Sequence, residues 1–463
     1  MKGRQAFRTG FDRRDCMSKA FAISIIQTLR QQGFQAYLAG GCVRDILLQC
    51  EPADFDVATS APPDKVMELF PDTYAVGVQF GVVLVPLPEA ERRNEAVSKK
   101  QAVEVATFRS DHGYSDGRHP DEVRFSQDPR EDAARRDFTI NGMMLDPVSE
   151  EVLDYVGGQA DLDAGIIRAI GRPEKRFAED KLRVLRAVRF AARLEYAIEA
   201  ETLVAIQRLA PEIRVVSRER VRDEVTKMLI EGHARRAFQL LDQTGLLKEV
   251  LPEISKMKGV EQPAEFHPEG DVFTHTLLAL DYLPQPPPAT LAWGTLLHDV
   301  GKPATFRVAP DRIRFDRHVE VGMKLAEEIC SRLRFSKHDA EQVLALIGNH
   351  MRFGHVSRMK ESTIKRFMRL PGFEEHLALH KADSLASHGI LTTYDFLQEK
   401  LKETPKENFR PRPLITGNDL IAAGYAPGPR FSEILDAVED GQLEGQLTSR
   451  EAAMEFVASN FPQ

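Results

Sequence analysis

The sequence predicts an α/β N-terminal head followed by all-α domains, and three observations carry the prediction. Through the first 150 residues, short strand-like apolar runs alternate with helical segments. Beyond about residue 160 the apolar spacing is helical and stays so. The chain has 463 residues, too many for one hydrophobic core, so several domains are expected.

The elements follow in order. Ala22, Ile25, Ile26 and Leu29 recur at helical spacing and predict a helix over 18–32. FQAYLAGG predicts a strand ending in a double glycine, with a helix start, CVRDILLQ, directly after it. FDVAT reads as a second strand, PPDKVMELF as a helix opened by prolines, and GVVLVPL and AVEVATF as two further strands. The polar stretch PEAERRNEAVSKKQ between those two reads as an exposed hairpin loop. RFAEDKLRVLRAVRFAARL and VRDEVTKMLIEGHARRAFQLLDQTGLL are long amphipathic helical segments. Glycines and prolines near 252–270 mark a boundary, and PQPPP at 284–288 reads as a loop inside the next helical domain. A proline-rich connection over 405–430 precedes a short helical tail.

Composition narrows the class. Apolar residues make up 42% and charged residues 29%, as in soluble globular proteins. No apolar run approaches the roughly 18–20 residues of a membrane span. Arg4, Arg8, Arg13 and Arg14 are not followed by an apolar stretch, which argues against a secretory signal. Cys16, Cys42, Cys50 and Cys330 are scattered without a CxxC pair, so they read as reduced thiols of a cytoplasmic protein. The net charge of −8 speaks against a nucleic-acid partner, but a partner feels the local field. Residues 172–193 hold eight basic and three acidic side chains, an island that is either a solvated helix face or an anion-binding surface.

Chemistry enters at LAGGCVRD, residues 38–45. A strand, two glycines and a helix start let backbone N–H groups approach a phosphate, because Gly40 and Gly41 lack a Cβ. Arg44, one turn on, can pair a phosphate oxygen; an ordinary tight turn is the plainer reading. In DFDVATS, Asp54 and Asp56 are two apart, which in a strand aims both at one face. Two adjacent carboxylates repel unless a cation lies between them, and Mg2+ suits in-line phosphoryl transfer. Taken alone, the pair reads equally as two exposed aspartates on an edge strand. Glu104, with apolar neighbours in AVEVATFR, needs a partner, either the same metal or an arginine such as Arg109. In REDAARRDFTINGM, Arg135 and Arg136 form an arginine pair suited to a triphosphate, with Asp137 as the holder of an arginine or the turn.

The ordered set GGCVRD, DFD, VEVATFR, RRDFTIN and EDKLRVLRAVRF resembles the class II tRNA nucleotidyltransferases and their bacterial poly(A) polymerase relatives, from about residue 36 to 255. The resemblance implies a polymerase-β-like nucleotidyltransferase head over 18–150, a helical neck over 151–215 and an RNA-binding body over 216–259. It implies magnesium at Asp54 and Asp56, and contacts of Gly41, Arg44 and Arg136 to the incoming nucleotide. It also implies base selection by Asp180, Arg183, Arg186 and Arg189, which read CTP and ATP in place of a template. Independently, Asp180 and Arg183 are spaced to share a helix face, while Leu182, Leu185, Val188 and Ala192 can face a core. The reaction implied is nucleotide addition to the tRNA 3′ end. SDHGYSDGRHPDEVRF, residues 110–125, resembles the loop of CCA-adding members, favouring CCA or A addition over CC addition.

A second constellation lies downstream. His275, His298 and Asp299 sit in apolar helical runs and are joined by His318, His350 and Asp383. Imidazole nitrogens with carboxylate oxygens make a divalent-metal set, and buried polar groups need such a partner. These residues resemble the HD phosphohydrolase superfamily, with His275, His298, Asp299 and Asp383 matching the four usual ligands. His318 and His350 extend the set toward a second metal. The resemblance implies an HD domain over 260–395, a divalent transition metal and phosphatase or 2′,3′-cyclic phosphodiesterase chemistry, with a tail over 396–463. Two other classes stay open on residues alone: a phosphohydrolase whose N-terminal half only grips nucleotide, and a tRNA-binding module without catalysis.

Overall fold

The computed structural model describes residues 13–75, 77–88, 102–114, 117–118, 120–265, 267–403, 409 and 411–462. The hairpin loop expected at 88–101 lies almost wholly outside the described residues. The chain divides into two compact units, Met1–Glu224 with Gln239–Val250, and Val225–Phe238 with Leu251–Gln463. Residues 216–259 are thus shared between the two.

In the first unit, α1 (Arg13–Gln31) buries Ala22, Ile25, Ile26 and Leu29 fully, as their spacing predicts. Then come β1 (Ala36–Ala39), α2 (Gly41–Leu47), β2 (Asp56–Thr59), α3 (Pro63–Leu69), β3 (Val82–Pro86) and β4 (Ala102–Thr107). A separate hairpin, β5 (Arg109–His112) with β6 (Glu122–Phe125), is followed by α4 (Pro129–Ala134), β7 (Met144–Leu145) and β8 (Val152–Leu153). The sheet order is β3-β4-β2-β1-β7-β8, with only β2 and β4 parallel among neighbours. The 110–125 segment, read as a loop, is strand-paired at its two ends, from Arg109 opposite Phe125 to His112 opposite Glu122.

Next come α5 (Gly158–Ala164), β9 (Ile166–Ile167), α6 (Pro173–Glu179), α7 (Arg183–Arg193), β10 (Ala197–Ile198), α8 (Ala200–Leu209), α9 (Arg218–Ile230), α10 (Ala234–Gln243) and α11 (Leu246–Val250). The segment 176–194 is two helices, not one. Asp180 is extended, at φ −146°; its side chain accepts Leu182 N at 3.1 Å and its carbonyl accepts Arg183 N at 3.0 Å. It closes α6 and opens α7, so Asp180 and Arg183 meet at a corner rather than along one helix face. Leu182, Leu185, Val188 and Ala192 are buried as expected. The second long segment also breaks, where Gly232 and His233 take positive φ.

The second unit is helical: α12 (Pro252–Ser255), α13 (Val272–Asp281), α14 (Ala289–Leu297), α15 (Lys302–Thr305), the hairpin β11 (Arg307–Val308) and β12 (Ile313–Arg314), α16 (His318–Arg332), α17 (Lys337–Asn349), α18 (Glu361–Met368), α19 (Phe373–Ala386) and α20 (Thr392–Glu403). Trp293 of α14 is its anchor, packed edge-on to Phe335 at 5.1 Å with its N–H donated to Thr226 Oγ1 at 2.9 Å. The tail is more than a short helix: α21 (Gly417–Ala422), α22 (Arg430–Leu443) and α23 (Arg450–Asn460) bury their own core of Ile415, Leu420, Ile434, Val438, Ala453 and Val457.

Candidate active site

In the first unit the carboxylates gather at one end of the central strands, at the start of β2. Strand β2 begins at Asp56, so Asp54 precedes it in a bend, and a shared strand face is not what aligns the two. Both carboxylates still lie beside Cys42, whose thiol is pushed up to about 12 by burial and then by Asp56 and Asp54. Glu104 stands in register with Asp56 on the parallel neighbour β4, which puts both side chains on one face. Arg109 pairs with Asp111 at 3.0 Å and with the Phe80 carbonyl, and Glu104 makes no ion pair among the described residues.

Gly40, at φ 79°, presents this end to an arginine. A Cβ there would lie 2.9 Å from Arg136 Nη1 and 3.7 Å from Asp56 Oδ2, and the positive φ itself favours glycine at this approach of the guanidinium. Gly41 opens α2, and a Cβ on it would come 3.7 Å from Arg44 Nη2. Arg44 is buried: it bonds Asp45 at 2.8 and 2.6 Å and Asn141 at 2.8 Å, with its guanidinium 5.3 Å from the Phe190 ring centre.

The remaining arginines are each held by an acid. Arg186 forms a fork on Asp137 Oδ2 at 2.9 and 2.7 Å. Arg183 reaches Glu179 at 2.6 Å, Arg189 is buried on Glu224 at 2.7 Å, and Arg220 bonds Asp180 at 2.7 Å. Burial would raise the Asp137 carboxyl, but Arg186, Arg183 and the Asn141 amide outweigh it and lower the group to about 2. Its contribution to stability is therefore present above pH ~4 and lost as pH falls through about 2; it amounts to about 2 kcal/mol. Asp137→Ala is expected to destabilise the protein by about 2–3 kcal/mol, since it leaves the half-buried Arg186 without its main partner. Urea unfolding at pH 7 checks the loss, and the gap to the parent narrows between pH 4 and 2.

The second unit builds a denser site. His275 comes from α13, His298 from the end of α14, His318 opens α16, His350 ends α17 and Asp383 lies on α19. Asp299 is the centre. Its Oδ2 is 3.2 Å from His298 Nε2, 3.9 Å from His275 Nε2 and 2.7 Å from Lys302 Nζ. Its Oδ1 is 3.8 Å from His318 Nε2 and 3.9 Å from His350 Nε2. Asp383 Oδ1 lies 3.0 Å from His275 Nε2 and 3.9 Å from His298 Nε2.

The outer nitrogens fix the rings. Nδ1–H of His298, His318 and His350 donates to the carbonyls of Thr295, Phe315 and Ile347 at 2.8, 2.9 and 2.7 Å. A carbonyl only accepts, so in the neutral rings each Nε2 carries a lone pair directed inward. His275 Nδ1 is 2.6 Å from Glu269, which also meets His267 at 2.9 Å. Nε2 of His275 and of His298 is buried without an aligned hydrogen bond despite the nearby carboxylates. The atoms converge on a common space instead of on each other, and that donor set fits a divalent cation. Burial lowers the His275 imidazolium, but Asp383, Glu269 and Asp299 outweigh it and raise it to about 9. Gly301 is needed by close approach, since a Cβ on it would sit 2.1 Å from the His318 carbonyl oxygen.

Sequence reasoning passed over Asp132, Asn141, Arg220, Glu224, Glu269 and Lys302. Lys302, Asp132, Asn141 and Glu269 carried a local signal, at i+3 from Asp299, i−3 from Arg135, i+4 from Asp137 and i+2 from His267; Arg220 and Glu224 meet their partners only through the fold.

A glycine turn, three carboxylates and an arginine cluster at one end of the central strands, followed by helices and a histidine–aspartate centre, define a nucleotidyltransferase with an HD domain. Residues 36–168 match the poly A polymerase head domain, 195–258 the probable RNA and SrmB-binding site of polymerase A, and 267–385 the HD domain. The CCA-adding enzyme of Lactobacillus gasseri is 30% identical over 447 residues, covering 95% of this chain and 97% of that protein. That of Geobacillus stearothermophilus is 43% identical over 225 residues, 49% of this chain and 53% of that protein. The crystal structure of the Bacillus stearothermophilus CCA-adding enzyme in complex with CTP superposes with a TM-score of 0.71 at 26% identity, covering 97% of this chain and 99% of that one. The chain belongs to the CCA-adding enzyme family and is a tRNA nucleotidyltransferase. Divalent-metal chemistry goes with that family.

Proposed function

We propose that this chain builds CCA onto the 3′ end of tRNA from CTP and ATP, with Asp54, Asp56 and Glu104 as the metal-binding and catalytic carboxylates. The observation that carries this is the meeting of Asp56, Glu104, Gly40 and Arg136 at one end of the central strands. Magnesium held by Asp54 and Asp56 supplies positive charge for the triphosphate and makes the attacking 3′-hydroxyl more acidic. Gly40 and Gly41 let the triphosphate approach the backbone, and Arg44 and Arg136 meet its oxygens. Asp180 and Arg183 read the base from the α6–α7 corner, with Arg186 and Arg189, held by Asp137 and Glu224, keeping that corner in place. The 3′-oxygen forms a bond to the α-phosphorus as the bond to pyrophosphate breaks.

The division into head 18–150, neck 151–215, body 216–259, HD domain 260–395 and tail 396–463 goes with this reading. The body meets the RNA backbone through its basic side chains, so tRNA affinity falls as salt rises. The acceptor-stem shape is read rather than its sequence. Among the described residues no helix is long and apolar enough to cross a membrane, and Cys42, Cys50 and Cys330 are free thiols, which suits the cytoplasm. Purified protein with tRNAs ending before CCA and before the final A, offered each nucleotide alone and together, tests the specificity. Addition of A alone, or of long A tracts, overturns CCA addition.

The second centre supports a second activity, metal-dependent phosphoester hydrolysis. His275, His298, Asp299 and Asp383 would hold one divalent transition metal, and Asp299, His318 and His350 would extend the set to a second. Lys302, Arg312 and Arg314 add positive charge to a cavity of about 380 Å³ that opens onto the histidines, as an anionic phosphate ester requires.

A further inference from the structure

A single buried carboxylate stands behind both halves of the nucleotide site. Asp132 on α4 is fully buried. Its Oδ1 accepts Arg135 Nε at 2.9 Å and Nη2 at 2.7 Å, and its Oδ2 accepts Arg136 Nε at 3.2 Å and Nη2 at 3.0 Å. Helix α4 ends at Ala134, so both arginines have left the helix and would fan apart without this anchor. The two forks point in different directions. Arg136 turns its third nitrogen, Nη1, to Gly40 at the Asp56 side of the site. Arg135 lies against the other side: its carbonyl accepts Arg176 at 3.0 Å and Arg183 at 3.3 Å, and its Nη1 is 3.8 Å from Asp111 of β5.

We propose that Asp132 is a positioning residue for nucleotidyl transfer, fixing Arg136 toward the triphosphate and the Arg135 backbone toward Arg183, the base reader. The inference rests on the assignment of Arg136 and Arg183 to the incoming nucleotide. Charge explains why this group must be an acid. Arg136 is held near Asp56, an attractive partner for a guanidinium and a proposed metal ligand. With two of its nitrogens bonded to Asp132, Arg136 has its charge shared between Asp132 and Asp56. Without those bonds it can close a pair with Asp56 and compete with the metal. Asp132 thus serves two ends at once: it points Arg136 at the phosphates and limits the competition of Arg136 with the metal at Asp56.

The test is Asp132→Asn, which keeps shape and removes charge, beside Asp132→Glu and Arg136→Ala in the full chain. The expected result for Asp132→Asn is a ten- to hundred-fold rise in Kd for CTP and for ATP by calorimetry, the loss of about one charge-assisted interaction. A shift of the magnesium dependence of incorporation to higher concentration accompanies it, with tRNA affinity unchanged. Asp132→Glu restores part of both. Unchanged nucleotide affinity and magnesium dependence in Asp132→Asn, with Arg136→Ala impaired, overturns the inference and leaves the nucleotide assignment standing. Unchanged nucleotide affinity in Arg136→Ala removes that assignment and the inference with it. If Asp132→Asn lowers the melting temperature, the nucleotide and magnesium shifts are read on protein well below that temperature. Loss of tRNA affinity in step with nucleotide affinity there marks a general structural role and also overturns the inference.

Discussion

Asp54→Ala and Asp56→Ala are each expected to lower CTP and ATP incorporation into tRNA by about 10⁴-fold or more, with the fold retained. The size follows from what the pair does. The triphosphate and the attacking hydroxyl both need positive charge, and each tenfold in rate corresponds to about 1.4 kcal/mol of barrier. Losing a metal ligand removes several such steps together. The fold is expected to survive because Asp54 is exposed in a bend and Asp56 is half-buried at the start of β2, so neither is a core residue. Labelled-nucleotide incorporation measures the effect and circular dichroism checks the fold. Robust addition by either variant would sink the assignment of these carboxylates, and with it the choice of this end of the strands as the catalytic one.

The second large effect separates the two centres. His298→Ala is expected to abolish hydrolysis of 2′,3′-cyclic nucleotides or p-nitrophenyl phosphate, and to cut bound metal sharply, while CCA addition continues. His298 is 1% exposed, its Nδ1 is tied to Thr295, and its Nε2 sits 3.2 Å from Asp299. Its loss removes one donor from a set built by five separate helices, and affinity of such a set depends steeply on donor number and preset orientation. Metal analysis of the full-length protein before and after dialysis against a chelator, with hydrolysis assayed on readdition of Mn2+, Co2+ or Ni2+, identifies the ion. A parent protein that holds no metal and hydrolyses neither substrate with any of these ions would show that the centre is not a working phosphohydrolase.

Much of both sites was legible because the chain itself carries the geometry. The double glycine after a strand, the DFD segment and the histidines of α13 and α14 are local patterns, and their elements formed where periodicity put them. Ala22, Ile25, Ile26 and Leu29 are buried for the same reason: a helical repeat has only one way to turn its apolar stripe inward. Other features were misjudged where a side chain overrode the periodic signal. Asp180 accepts the N–H of Leu182 and breaks what reads as one continuous amphipathic helix. The 110–125 segment has the composition of a loop, yet Asp111 and Val123 pair across a ladder.

The sequence by itself determined the residue types of the two centres, their order, and which helices and strands would carry them, since local propensity and periodicity act over a few neighbours. Only the tertiary structure decided how they are tied together. It set Glu104 opposite Asp56, Arg186 on Asp137, Arg220 on Asp180 and Arg189 on Glu224, pairs separated by 35 to 49 residues. It also gathered five helices around Asp299. Charged partners distant in sequence have no periodic signature. Their meeting is fixed by how elements pack, and a buried arginine shows its acid only once the core has closed around both.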